Sequence, residues 1–238
     1  MGRERTYTLR LPPLIRCHRQ KLAYLLIWAP YVAIYQILNR WPVVTPVELP
    51  FTWMDRALPF VPSLLPVYVA YLPYYFWTVA RSENDDVANR IFYGTHFQLT
   101  LSVPFFLLAP VTMPRALFYG PELYGWADAF WRWFDAPNNC FPSLHASNCL
   151  LLMHFNRNRR FRTLSCALGL AIILSAALVT QHYVVDLVAG GVVYLAARWF
   201  LRRLEVTPVA SGEPARRARE SSAAPPAAGP EASGWSDG

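Results

Sequence analysis

Charge is scarce in this chain of 238 residues: only 16% are Asp, Glu, Lys or Arg, where a soluble globular domain carries about 25%. With 54% of the residues hydrophobic and 15% aromatic, the polar cover is too thin for a water-soluble fold over most of the chain. The four cysteines, Cys17, Cys140, Cys149 and Cys166, lack Cys-x-x-Cys spacing and read as small apolar packers, not as a zinc site. There is no internal repeat, no Walker-type glycine loop and no metal-ligand cluster, so neither a metal nor a cofactor is expected. Apolar periodicity is missing from the last 33 residues, Val206 to Gly238, of which 22 are Ala, Gly, Pro or Ser. That composition predicts a disordered C-terminal tail over residues 206–238.

Apolar segments fill the rest. A membrane-crossing helix needs about 20 mostly apolar residues, and six segments approach this: Leu22–Asn39, Leu58–Ala80, Ile91–Val111, Phe141–Phe155, Thr163–Leu178 and Tyr183–Leu201. The fourth is short and begins with polar residues. The first follows a basic leader with no small-residue cleavage site after it, and so reads as an anchor span. The expected fold is an all-α integral membrane protein with six transmembrane helices, the catalytic ones packed as a bundle. Residues 1–21 form a basic N-terminal segment, 22–205 a six-span catalytic membrane domain, and 206–238 the tail.

The net charge of +7 does not indicate nucleic acid, because the basic residues lie in blocks between apolar runs and form no groove-binding patch. Eighteen of the 22 Lys and Arg precede the first span, lie in the second-to-third and fourth-to-fifth loops, or fall from the end of the sixth span onward. The other four, Arg40, Arg56, Arg115 and Arg132, lie on the opposite side. By the positive-inside rule both termini are cytoplasmic and the loop from Thr112 to Cys140 is outside. The aromatics of that loop (Tyr119, Tyr124, Trp126, Trp131, Trp133) suit the headgroup level, as an amphipathic interfacial helix around Leu123–Phe134 or as a plain aromatic loop.

An Asp inside a span costs about 2.5–3.5 kcal/mol at the helix centre, so such groups persist mainly where they serve a function. Asp186 follows His182 by four residues, a spacing that lets the two side chains meet on a helix. A carboxylate beside an imidazole fixes its tautomer and raises its basicity, which suits a nucleophile or general base; a structural His–Asp pair has the same spacing. The second cluster runs from Asn138 to Ser147. Pro142 fits a first helical turn, which leaves the amides of Ser143, Leu144 and His145 as an anion site and His145 as a proton donor. A polar helix start with a snorkelling His145 is the alternative. The charge-derived topology brings both clusters to the outer membrane surface. His96, within the third span, reads as a packing or hydrogen-bonding residue, and His154 lies at the inner end of the fourth.

Two histidines, a carboxylate, hydroxyls and a helix N-terminus are the parts for phosphoryl transfer through a phosphohistidine. The chain resembles the type-2 phosphatidic acid phosphatase superfamily, whose signature is a Pro-Ser-Gly-His block followed by His-x-x-x-Asp. Here these read Pro142-Ser143-Leu144-His145 and His182-Tyr183-Val184-Val185-Asp186. Their wording is most similar to the inositol phosphorylceramide synthase and sphingomyelin synthase branch.

The resemblance implies that His182 attacks phosphorus, Asp186 orients it, and His145 protonates the leaving oxygen. Ser143 and the amides near Leu144 would hold phosphate oxygens. The family's Lys-x6-Arg-Pro motif is only partly present: Arg115 offers a phosphate clamp, but Leu108 stands seven positions before it. Ala176 replaces the arginine that the pattern has six before the nucleophile. A site with two fewer cations suits a phosphodiester headgroup better than a dianionic monoester. The expected partners are the bilayer, a phospholipid donor, and a lipid alcohol such as ceramide or diacylglycerol as acceptor. Water as acceptor would make the enzyme a lipid or polyprenyl phosphate phosphatase. A non-catalytic lipid-binding protein is the reading of another class, and the intact His145, His182 and Asp186 argue against it. The expected location is a bacterial inner membrane or its equivalent, with the active site on the extracytoplasmic face.

Overall fold

The computed structural model describes residues 8–16, 20–115, 129–130, 133–156 and 159–206. Cys17, most of the expected interfacial helix and the expected disordered tail from Thr207 onward lie outside the described residues, while Val206, expected to begin that tail, ends a short strand.

Helix α1 (Gln20–Arg40) is followed by a short strand β2 (Val47–Glu48) and a one-turn helix α2 (Trp53–Ala57). Thr52 and Asp55 cap α2 reciprocally, which satisfies two of the amides a helix start leaves unpaired. The segment expected as one span over Leu58–Ala80 is broken instead into a 3-10 turn (Pro62–Leu64), α3 (Leu65–Val69) and α4 (Tyr71–Ala80). Pro73 explains the second break: it has no N–H to offer the carbonyl of Val69, so the helix is interrupted at Ala70.

Helix α5 (Asp85–Leu108) starts at Asn84, whose side chain accepts from the Val87 N–H at 2.9 Å, and Asp85 and Asp86 complement the positive helix end. Then come β3 (Val111–Thr112), α6 (Leu144–Phe155), α7 (Arg159–Leu178) and α8 (Val184–Arg202). Strand β1 (Leu9–Leu11) pairs in parallel with β4 (Leu204–Val206), and β2 pairs in parallel with β3.

Among the described residues three helical stretches are long and apolar enough to cross a membrane: Asp85–Leu108, Phe161–Leu178 and Val184–Arg202. The outer face of α8 carries Val188, Val192, Leu195 and Trp199, each 57–62% exposed. An apolar stripe of that length on one helix is a surface for lipid, not for water. Helix α6 behaves differently. It has 12 residues, about 18 Å at 1.5 Å per residue, against the roughly 20 of an ordinary span. Nine of those residues are buried, because α6 is packed among α5, α7 and α8 at the centre of the helices. Its polar start is thus enclosed by protein.

Candidate active site

Both sequence clusters come to one end of this bundle. Ser143 is the N-cap of α6, and its hydroxyl accepts from the Ala146 N–H at 3.3 Å. Pro142 stands one residue before the cap and not in the first turn. The Ser143 N–H donates to the carbonyl oxygen of Asp186 in α8 at 3.1 Å. That approach needs a glycine on α8: a Cβ on Gly190 would lie 2.5 Å from the Ser143 carbonyl oxygen.

His182 sits in the turn between α7 and α8. The amides of Gln181 and His182 both donate to the Ala176 carbonyl, at 2.9 and 3.1 Å, and Thr180 adopts a φ of 52° to close the turn. A β-branched residue in that left-handed region carries strain of about 1–3 kcal/mol, of the kind found where a site must be held in place.

The imidazole of His182 turns Nδ1 toward two oxygens, the Cys140 carbonyl at 3.1 Å and Asp186 Oδ2 at 3.4 Å. Both are acceptors, so in the neutral ring Nδ1 carries the hydrogen and Nε2 the lone pair. Asp186 Oδ2 also accepts from the Tyr183 N–H at 2.9 Å, while Oδ1 has no hydrogen-bond partner among the described residues.

The ring of His145 lies 5.6 Å from that of His182, and Tyr68 and Tyr71 flank it at 4.6 and 4.7 Å. His145, His182 and Asp186 are all buried. The two histidines open on separate hollows. His145 meets an apolar one of about 60 Å³ between α1, α4 and α6, lined by Trp28, Tyr31 and Tyr71. His182 meets another of about 50 Å³ lined by Phe51, Asp55 and Met113.

Arg115 lies in the loop after β3, 5% exposed, and its guanidinium is spoken for. It pairs with the Asp135 carboxylate at 3.3 Å and also donates to the carbonyls of Asp135 and Ala136. Only its Nε lacks a partner among the described residues. Asp135 further accepts from Tyr35 at 3.0 Å and Asn39 at 2.8 Å, which ties the loop to α1. Leu144 and His145 are the first two residues of α6, so their amides have no carbonyl a turn earlier within the helix and are the donors left for an anion.

Sequence reasoning missed Asp135, the two tyrosines beside His145, and Asp55. No local pattern marks them, because their places arise from contacts between distant segments. Asp55 accepts from the Val184 N–H at 2.8 Å and so holds the start of α8. Partial burial opposes its charge, yet hydrogen bonds from Thr52 and Val184 prevail and hold its carboxyl below the usual carboxylate range.

Donor atoms of Cys140, His182 and Asp186 lie within 4.8 Å of one another. The donor set fits a metal poorly. Burial and the nearby Asp186 charge push the Cys140 thiol up, and its hydrogen goes to the Pro137 carbonyl at 3.1 Å, so the thiolate a metal would need is disfavoured.

A buried histidine whose Nδ1 lies beside a carboxylate, with a second histidine 5.6 Å away, is an arrangement that can transfer a phosphoryl group. A family model described as PAP2 superfamily matches residues 51–200. The chain belongs to the PAP2 superfamily. It is an enzyme of the phosphatase and phosphotransferase kind, acting on phosphate esters, and its apolar helices mark a membrane protein. The matched residues include α2 through most of α8, and with them the cluster at His145 and that at His182. No curated protein matches the sequence.

Proposed function

We propose that this PAP2 protein is a lipid phosphotransferase that takes the phospho-headgroup of a phospholipid and passes it to a lipid alcohol. His182 Nε2 attacks phosphorus, the bond from phosphorus to the diacylglycerol oxygen breaks, and His145 gives that oxygen a proton. Asp186 stabilises the charge His182 gains. The acceptor hydroxyl then loses its proton to His145, its oxygen attacks phosphorus, and the nitrogen–phosphorus bond breaks to regenerate His182. The amides of Leu144 and His145 hold the phosphate oxygens, with Ser143 fixing the helix start that presents them. Arg115 adds its guanidinium from the side. The catalytic domain crosses the bilayer six times in this reading, with both termini on the cytoplasmic side and the histidines at the outer face.

The observation that carries the transferase reading is the Arg115–Asp135 pair at 3.3 Å. The guanidinium the site could offer a phosphate is already neutralised by a buried carboxylate. A monoanionic diester needs less positive charge than a dianionic monoester, and so suits this site better. The apolar, aromatic hollow beside His145 supports a lipid acceptor over water. Incubation of the purified protein with phospholipid labelled at phosphorus, with and without ceramide or diacylglycerol, tests this. Label should move into a new phospholipid only when the alcohol is present. Release of labelled water-soluble phosphate at the same rate with or without alcohol would make the protein a hydrolase.

A further inference from the structure

The end of the helices opposite the histidines holds a larger hollow, about 430 Å³, between the first turns of α5 and the last turns of α6 and α8. At 1.5 Å per residue, Arg198 and Arg202 lie about 18 and 24 Å along α8 from Asp186, so this space is separate from the catalytic end. Its floor is apolar, formed by Leu151, Phe155 and Leu201. Its rim carries three guanidinium groups, Arg90, Arg198 and Arg202, against one carboxylate, Asp86.

That carboxylate is taken. Arg90 Nε donates to Asp86 at 2.8 Å, and Arg90 also donates to the Leu201 carbonyl at 3.0 Å. Arg198 and Arg202 form no ion pair among the described residues, and their spacing of four puts both on one face of α8, toward the hollow. Their charges repel each other there. The preference of a helix C-terminus for cations accounts for arginines in this turn, but among the described residues nothing fills the space between them. Tyr194, whose hydroxyl lies 3.5 Å from His154 Nδ1, adds hydrogen-bonding groups to the same wall.

We infer that this hollow is a second, non-catalytic binding site for a phosphate-bearing anion, held between Arg198 and Arg202 over an apolar floor. Paired guanidinium donors match phosphate oxygens in geometry as well as charge. A phospholipid headgroup and free phosphate share that chemistry, and they differ in whether an apolar part rests on Leu151 and Phe155. The inference does not depend on which acceptor the catalytic end uses.

The test uses the full chain in detergent, carrying His182→Ala so that no lipid is consumed. Binding of short-chain phosphatidylglycerol, of phosphatidylcholine and of inorganic phosphate is followed by native mass spectrometry and by the melting temperature. The double variant Arg198→Gln/Arg202→Gln should weaken binding of phosphatidylglycerol or of phosphate at least tenfold, while its melting temperature without ligand stays near the parent's. Phosphatidylglycerol dependence alone identifies a lipid site, and an equal effect of phosphate identifies a soluble anion. Arg81→Gln, which removes an arginine lying over the Phe161 ring, is the control for general attraction of anions. Unchanged binding in the double variant, or an equal loss in Arg81→Gln, would overturn the inference. Should the double variant unfold, the single variants decide in its place: each must weaken binding while melting as the parent does.

Discussion

The Ser143 N–H donates to the Asp186 carbonyl at 3.1 Å, so the start of α6 and the first turn of α8 share one hydrogen bond. Residues from separate parts of the chain are thereby held so that the His145 and His182 rings lie 5.6 Å apart. The geometry of this cluster depends on the seam between helices as much as on the side chains themselves.

Gly190 is where the seam is tightest. A methyl group there would meet the Ser143 carbonyl at 2.5 Å, and backbone cannot swing aside as a side chain can. Gly190→Ala should lower stability by about 1–3 kcal/mol, as overpacked cores do, and lower turnover more than tenfold by prying the histidines apart. Gly191→Ala meets nothing within 4 Å and should change neither. Thermal melts and steady-state rates on the two variants check this.

Breaking the buried Arg115–Asp135 pair leaves one charge without its partner. Arg115→Ala or Asp135→Ala should each cost about 3–5 kcal/mol, and the double variant should cost less than their sum. Arg115→Lys keeps the charge but loses the forked donors to Asp135 and Ala136, and most of the rate should go with them. A solvated loop arginine would tolerate all of these changes, and melting curves paired with rates distinguish the two cases.

The Asp55 carboxyl is held below its usual range in the folded protein by Thr52 and the Val184 amide. A depressed folded-state pKa stabilises above the unfolded value of 3.8, and that stability is lost as pH falls through the folded-state value. Melting of wild type and Asp55→Ala from pH 7 downward should show a constant gap to about pH 4 that closes below 3.8. A gap that widens in acid would contradict the assignment.

Much of this site is legible in the sequence because its chemistry lies in two short runs, Pro142–His145 and His182–Asp186. Hydropathy located the helices but not how two of the segments are built. It cannot register that Pro73 interrupts a span, or that α6 is a 12-residue helix enclosed by its neighbours. The pairing of Arg115 with Asp135 was also out of reach, because Asp135 gains its role only when its loop folds against Tyr35 and Asn39 of α1. The His182–Asp186 spacing suggested two residues on one helical face. The pair forms, but His182 precedes the helix and its backbone is held by Ala176.

Orientation is testable at two exposed loop positions. In a Cys17→Ser/Cys166→Ser background, Cys140 and Cys149 are buried. A cysteine at Val43 should react with an impermeant thiol reagent added outside intact cells, and one at Glu83 only after the membrane is opened. The reverse pattern would put the histidines at the cytoplasmic face.

A covalent phosphoryl group on His182 is the intermediate on which the proposed reaction turns, and rapid-quench trapping detects it. With a ³²P-labelled nitrophenyl phosphodiester, whose leaving group needs no proton, wild type should form an acid-labile, base-stable phosphoenzyme that decays when acceptor is added. His145→Ala should still form it but release it slowly, so that label accumulates. His182→Ala should form none and lose turnover by several orders of magnitude. Label retained in His182→Ala, or turnover above about a tenth of wild type in that variant, would contradict the account.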